Sequence, residues 1–150
     1  VGKDETRMWI ALRQALWPYE PPDALAQEAA AMDDDQRAWV RLVFDERGEA
    51  VGLLEFSVRD QSPGSGGRAL PYVEGWYVTP AVRRQGVGRM LIAHLETWAV
   101  VHGYRQIASD TIPALFPDST AAHLALGFAI VDEGPDEDGD QARFFHKPLL

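Results

Sequence analysis

The stretch EGWYVTPAVRRQGVGRML, Glu74 to Leu91, passes from an aromatic, apolar run into a basic turn spaced by glycines, then into helical periodicity. The turn itself is Arg83-Arg84-Gln85-Gly86-Val87-Gly88. Glycine there lets the backbone approach a ligand closely. The helix that follows opens with unpaired N–H groups at the positive end of its dipole. Two arginines add mobile charge, and together these are the parts of a pyrophosphate cradle. No Gly-Lys-Ser/Thr follows, and the glycine spacing is not that of the dinucleotide fingerprint.

This basic turn sits in an acidic chain. Of 150 residues, 14 are Lys or Arg and 23 are Asp or Glu, giving a formal net charge of −9. A field of that sign attracts cations and disfavours nucleic acid, although an acidic surface that only maintains solubility is the commoner case. The length fits one domain, residues 1–150, able to bury a core. No apolar run approaches a membrane span and the first residues do not read as a signal peptide, so a cytoplasmic protein is expected. Cysteine is absent, which excludes disulfides, thiolate metal ligands and cysteine nucleophiles. The four histidines form no H-x-x-x-H pair, and no metal is expected.

Upstream of the turn, Trp9, Leu12 and Leu16 repeat at helical spacing, with Thr6 as the expected N-cap and Pro18 as the stop. Pro21 and Pro22 open a second helix, DALAQEAAAM. AWVRLVFD and AVGLLEFSVRD read as strands joined by a hairpin turn at ERGE. Alternation in the second places Leu54, Phe56 and Val58 on one face and Glu55, Ser57 and Arg59 on the other. QSPGSGGRALP reads as a mobile loop, and YVEGWYV as a strand in which Gly75 marks a bulge or a close backbone approach. After the turn, a helix runs from Val87 to a C-cap at Gly103. QIASD is a strand and STAAHLALG a helix capped by Ser119; FAIVDEG and ARFFHKPL are strands around an acidic turn. The order α-α-β-β-β-α-β-α-β-β predicts an α+β fold with a mixed sheet. A strand would be expected ahead of the first helix, where only VGKD stands.

The pattern R-x-x-G-x-G preceded by YVTP, with HLALGF near the C-terminus, resembles the acetyl-CoA-binding signature of the GNAT acetyltransferase superfamily. The resemblance implies a mostly antiparallel mixed sheet with helices on both faces and splayed central strands that admit the pantetheine arm. It places the backbone of Trp76, Tyr77 and Val78 along that arm. Arg83, Arg84, Gln85, Gly86, Val87, Gly88 and Arg89 are placed around the pyrophosphate of acetyl-CoA. The bland alternative is a basic glycine turn that is only a turn.

Within the superfamily, LW ending the first helix, VEGWYV, ASDT, and H-x-x-LGF followed by acids are similar to the aminoglycoside 6'-N-acetyltransferases. That resemblance implies acetyl transfer to the 6'-amine, antibiotic resistance as its consequence, and substrate contacts from Trp17, Glu74, Asp110 and Asp132. It also implies a homodimer, with Phe144 and Phe145 available either to the interface or to the core. Carboxylates suit a polyammonium substrate through charge-assisted hydrogen bonds, and Trp17 offers a cation–π face. Each residue has a structural alternative: helix-end packing for Trp17, a salt bridge for Glu74, a loop cap for Asp110, and a solvated hairpin for Asp132.

Direct attack requires a neutral amine, so Glu74 or Asp110, or a water, would remove its proton, while an N–H near Val78 polarises the carbonyl. His123 stands where many relatives carry a tyrosine acid; it is either that acid or a packed, hydrogen-bonded histidine. Two departures from the aminoglycoside group stand out. DQSPGSGG offers no aromatic before Tyr72, and LFPDS replaces a common asparagine. The competing functions are the same fold acting on a polyamine, amino sugar or protein terminus, and a non-catalytic acyl-CoA-binding module.

Overall fold

A computed structural model describes residues 2–150. Helix α1 (Lys3–Leu16) starts earlier than Thr6, with Gly2 as its N-cap, and the Thr6 N–H bonds Gly2 O at 2.8 Å inside the first turn. Asp4 and Glu5 in that turn offset the helix dipole without a side-chain cap. Lys3 and Asp4 of VGKD are thus already helical, and Val1 lies outside the described residues. The chain continues through α2 (Pro22–Asp34), β1 (Ala38–Phe44), β2 (Ala50–Arg59), β3 (Leu70–Val78), a single 3-10 turn at Pro80–Val82, and α3 (Val87–Val101). It ends with β4 (Gln106–Thr111), α4 (Ser119–Ala125), β5 (Ala129–Pro135) and β6 (Gln141–Pro148). The expected order of helices and strands is observed. Ser119 is the first helical residue rather than the cap, and Asp118 precedes it without a side-chain capping bond.

The six strands form one mixed sheet in the order β1-β2-β3-β4-β6-β5. Strand β3 runs parallel to β4, whereas β6 is antiparallel to both β4 and β5. Contacts group the chain into two compact units. One comprises the residues up to Phe56 with Gly75–His94; the other comprises Ser57–Glu74 with Leu95–Leu150.

In the first unit Trp9, Leu12, Ala29 and Leu53 form the core, with Met32, Val40 and Leu42 packed against it. Alternation leaves Glu55 opposite Phe56, yet Leu53, Leu54, Glu55 and Phe56 are all buried because this part of β2 is covered on both faces. A lone buried carboxylate would be costly. Glu55 accepts from Trp9 Nε1 and from Arg13 Nη1, each at 2.7 Å, and Arg13 reaches Glu28 at 2.8 Å. The helical period of α1 therefore carries a buried arginine as well as its apolar stripe.

In the second unit Leu70, Tyr72 and Ala108 pack together, and Leu95, Ile107, Phe128 and Phe145 are also buried. Phe145 is fully buried, which places it in the core; Phe144 is half-buried. The loop expected to be mobile is tied down. Ser62 N–H donates to Ser65 Oγ at 3.1 Å, and Gln106 Nε2 donates to Ser65 O at 3.0 Å. Gly64 has φ +86°, and a Cβ there would lie 3.2 Å from His146, so the loop fits closely where glycine stands. Among the described residues no helix is long and apolar enough to cross a membrane.

Candidate active site

The basic turn is shaped by two left-handed residues, Arg84 at φ +66° and Gly86 at φ +85°. Arg83 Nε donates to Val78 O at 2.9 Å, and its guanidinium lies 5.5 Å from the Tyr77 ring centre. The opening bond of α3 runs from Met90 N–H to Gly86 O at 2.9 Å. The N–H groups of Val87, Gly88 and Arg89 thus precede the helical ladder and have no acceptor within it. A Cβ on Gly86 would meet nothing within 4 Å. Donors at a helix start, three flanking arginines and an open approach fit the phosphates of CoA. Gly88 serves another purpose. A Cβ there would lie 3.2 Å from the Trp76 ring, and Trp76 Nε1 donates to Gly88 O at 3.2 Å. Gly88 makes room for Trp76.

Strands β3 and β4 pair with Tyr72 opposite Ala108. Trp76, Tyr77 and Val78 are the last three residues of β3. Gly75 marks a close approach rather than a bulge: a Cβ there would lie 3.0 Å from the Trp17 ring. The Arg13 guanidinium also lies over Trp17, 4.9 Å from the ring centre. Trp17 is therefore a packed helix-end residue, half-buried, with its substrate role resting on the resemblance alone.

The carboxylates are aligned by strand register. Glu74 and Asp110 each stand two residues beyond the Tyr72–Ala108 pair, so they are side by side on one face. Asp110 is paired with Phe144 across β4 and β6, and Phe144 with Asp132 across β6 and β5. Asp110, Phe144 and Asp132 are thus successive cross-strand partners, Asp132 lying at a register shift in β5 that begins at Ile130, and Glu74 stands on the same face of β3. Arg143 and Glu133, one position along, pair on the opposite face. Asp132 is exposed, with Oδ1 accepting from the Glu133 N–H at 2.9 Å.

Glu74 and Asp110 are held differently. Glu74 Oε2 accepts from Ser57 Oγ at 2.6 Å and Arg59 Nε at 2.9 Å, and Oε1 accepts from Arg59 Nη2 at 2.7 Å. The salt-bridge alternative for Glu74 thus holds, with Arg59 rather than an arginine of the turn. Asp110 Oδ2 accepts from the Tyr72 hydroxyl, while Oδ1 meets no protein donor among the described residues. Burial raises the Asp110 pKa above the ordinary carboxylate value; the Tyr72 bond and Arg59 charge pull the other way, and Glu74 and Asp136 reinforce the rise. Burial, then the Asp110 charge, pushes the Tyr72 hydroxyl far above the usual phenol value, so it remains a donor.

His123 is buried. Nε2 lies 2.8 Å from Ser109 Oγ, Nδ1 lies 2.8 Å from Ser119 O, and the ring stacks on Phe145 at 4.1 Å. Burial lowers its pKa, so both nitrogens are occupied on a neutral ring. This is the geometry of the packed alternative.

Sequence reasoning missed Ser57, Arg59, Tyr72 and Phe144 as members of the site. Alternation had already put Ser57 and Arg59 on one face of β2, and Tyr72 lies two residues before Glu74. Phe144 carried no local signal, because only cross-strand register brings it beside Asp110.

The fold and the turn define an acyl-CoA-dependent transferase, and the acetyltransferase (GNAT) family model matches residues 5–128. This chain belongs to that family. It is 35% identical to an aminoglycoside N(6')-acetyltransferase type 1 of Klebsiella aerogenes, over 99% of this chain and 94% of that protein. It is 37% identical to the enzyme of the same name from Salmonella typhimurium, over 80% and 82%. Among solved structures, an aminoglycoside 6'-N-acetyltransferase from Acinetobacter haemolyticus superposes with a TM-score of 0.80 at 30% identity, covering 88% of this chain and 90% of that one. The AAC(6')-Iy enzyme, solved with the bisubstrate analogue CoA-S-monomethyl-acetylneamine, superposes with a TM-score of 0.78 at 30% identity, over 88% and 89%.

Proposed function

We propose that this protein acetylates the 6'-amine of aminoglycoside antibiotics with acetyl-CoA, with resistance as the consequence. The observation that carries the reading is the sheet face shared by Glu74, Asp110, Phe144 and Asp132, three carboxylates and an aromatic. A substrate with several ammonium groups on linked sugar rings suits such a face by charge-assisted hydrogen bonds. The likeness to aminoglycoside N(6')-acetyltransferases over nearly the whole chain supports the same acceptor. Phe144 in this reading supports a sugar ring between two anionic neighbours.

Acetyl-CoA, when bound, supplies an acetyl thioester that an amine can take by direct attack. The residues of the chain do the rest. Val87, Gly88 and Arg89 N–H groups hold phosphate, with Arg83, Arg84, Gln85 and Gly86 forming the exposed rim. The backbone of Trp76, Tyr77 and Val78 lies along the arm, and the N–H near Val78 polarises the acetyl carbonyl. Glu74, clamped by Arg59, binds the ammonium as a fixed anion. Asp110 accepts the proton at Oδ1, the oxygen that carries no protein donor, and burial raises its pKa above the ordinary carboxylate value. His123 is assigned to packing, and the leaving thiolate then takes its proton from solvent. Trp17 and Asp132 remain substrate contacts in this reading.

Residues 1–150 are read as one domain. Strands β2 and β3 and helix α3 each run through the division between the two contact units, which no linker does. We also read the protein as a cytoplasmic homodimer with no nucleic-acid or membrane partner. The exposed Ile130 and Val131 on the edge strand β5 support the dimer.

A free-thiol assay across an aminoglycoside panel tests the function. Thiol release is expected with 6'-amino compounds and not with their 6'-hydroxy counterparts. Acetyl-CoA binding without turnover on any 6'-amine would overturn it, and equal turnover of simple polyamines would move the acceptor class.

A further inference from the structure

We infer that Arg59 is the positioning residue of the acceptor site and an internal competitor for the substrate's ammonium group. It is held in place by its clamp on Glu74 and its stack on Tyr72. The inference deepens the reading above and rests on it for the identity of the competing cation.

The geometry is specific. Arg59 spends Nε and Nη2 on the two oxygens of Glu74, the planar fork arrangement that an ammonium group cannot reproduce. Its guanidinium carbon lies 3.5 Å from the Tyr72 ring centre, a close cation–π stack. Tyr72 in turn directs its hydroxyl to Asp110 Oδ2. Two links therefore run from Arg59 to the Asp110 carboxylate, through the Tyr72 ring and its hydroxyl, and a third contact holds Glu74. The clamp sets the Glu74 carboxylate plane, the stack fixes the Tyr72 ring, and the Tyr72 hydroxyl occupies one Asp110 oxygen and leaves the other open.

Stability alone is a weak reason for this arrangement. The Arg59 side chain is 38% exposed and that of Glu74 is 29% exposed, and ion pairs at such exposure contribute little to folding. Its charge has a clearer use. The groups facing Asp110 are Tyr72 and Glu74 from β3, Arg59 from β2, Phe144 from β6 and Asp136 at the hairpin. Arg59 is the only cation in that set. Arg59 opposes the rise in the Asp110 pKa that burial and two further carboxylates produce, so losing it moves that pKa higher. With Arg59 in place, an arriving ammonium must share Glu74 with a resident guanidinium. Binding is weakened, and the Asp110 pKa is pulled down towards the ordinary carboxylate value.

Two measurements on the full chain test this. Carboxyl-carbon NMR titration of Asp110 in the free protein needs no substrate; Arg59→Gln should move the titration to higher pH, and Arg59→Lys should leave it near wild type. Steady-state kinetics with an aminoglycoside at pH 7 should show KM falling several-fold in Arg59→Gln while kcat falls about tenfold or more. Arg59→Lys, which keeps charge but loses the fork, should lower kcat with KM near wild type. An unmoved Asp110 titration in Arg59→Gln, or a KM that rises with kcat unchanged, overturns the proposal. If Arg59→Gln does not fold, wild-type kcat in Arg59→Lys overturns it instead. Failure of the wild-type protein to turn over any aminoglycoside removes the acceptor assignment and leaves the titration arm standing.

Discussion

The Arg59 guanidinium meets both carboxylate oxygens of Glu74 at once, Nε to Oε2 at 2.9 Å and Nη2 to Oε1 at 2.7 Å. In the proposed mechanism a carboxylate engaged in this way acts as a fixed charge, and the neighbouring Asp110 acts as the base. Two acids that look equivalent in the sequence are thereby given different work by their neighbours.

Glu74→Gln separates the two roles. The amide keeps the shape and removes the charge, so substrate binding should suffer more than chemistry. KM for an aminoglycoside should rise about 10- to 100-fold, the range expected for losing a hydrogen bond to a charged group, with kcat changed far less. A large loss of kcat at unchanged KM would show that Glu74 is itself the base.

Asp110→Asn should do the reverse and should also stabilise the fold. The rate should fall by roughly 10²- to 10⁴-fold, as for loss of a general base. The sign of the stability effect follows from the raised pKa. The folded state holds the Asp110 proton more tightly than the unfolded chain, so stability is lost as pH rises from the ordinary carboxylate value through the folded one. Asparagine carries no such penalty and can still accept from Tyr72. Thermal unfolding at pH 7 should therefore give a higher Tm for the variant, with the difference shrinking towards pH 3. In the wild type, the acid limb of kcat/KM should lie above the usual carboxylate range.

His123 distinguishes packing from catalysis. His123→Phe keeps the stack on Phe145 but strands Ser109 Oγ, which should cost about 1–3 kcal/mol. Adding Ser109→Ala should recover part of that loss. At a temperature where the variants are folded, kcat should stay within a few-fold of wild type. A hundredfold loss of kcat at unchanged Tm would make His123 the acid.

The two glycines of the turn should respond differently. Gly86→Ala places a side chain in open space at φ +85°, costing about 1–2 kcal/mol from the left-handed backbone. Gly88→Ala pushes on the Trp76 ring at 3.2 Å, so it should shift tryptophan fluorescence and weaken acetyl-CoA binding. Equilibrium titration of both variants reads the difference.

The order of helices and strands was legible because each element carries its own period and stop signal, such as Pro18 after α1 and Gly103 after α3. The turn was legible because its residue types and its place between strand and helix are both local. Pairings between distant segments were not. Alternation put Glu55 on the face opposite Phe56, and nothing local announces that Arg13 will meet it there from α1. His123 offered two readings until Ser109 and Phe145 came to lie against it. The placement of Phe144 beside Asp110 depends on which residue of β6 faces which residue of β4, and a shift of one position would send every side chain to the other face. The loop from Gln61 to Pro71 had the composition of a mobile segment, but Ser65 and Gln106 hold it.

Arg84 has a consequence for anyone selecting improved variants. It is the one non-glycine with positive φ among the described residues, at +66°. A glycine there would relieve about 1–2 kcal/mol of backbone cost. Directed evolution screened on heat resistance alone should therefore enrich Arg84→Gly, and the enriched clones should bind acetyl-CoA less well. Selection on both traits should hold the arginine in place, so its retention or loss in a library reports which pressure acted.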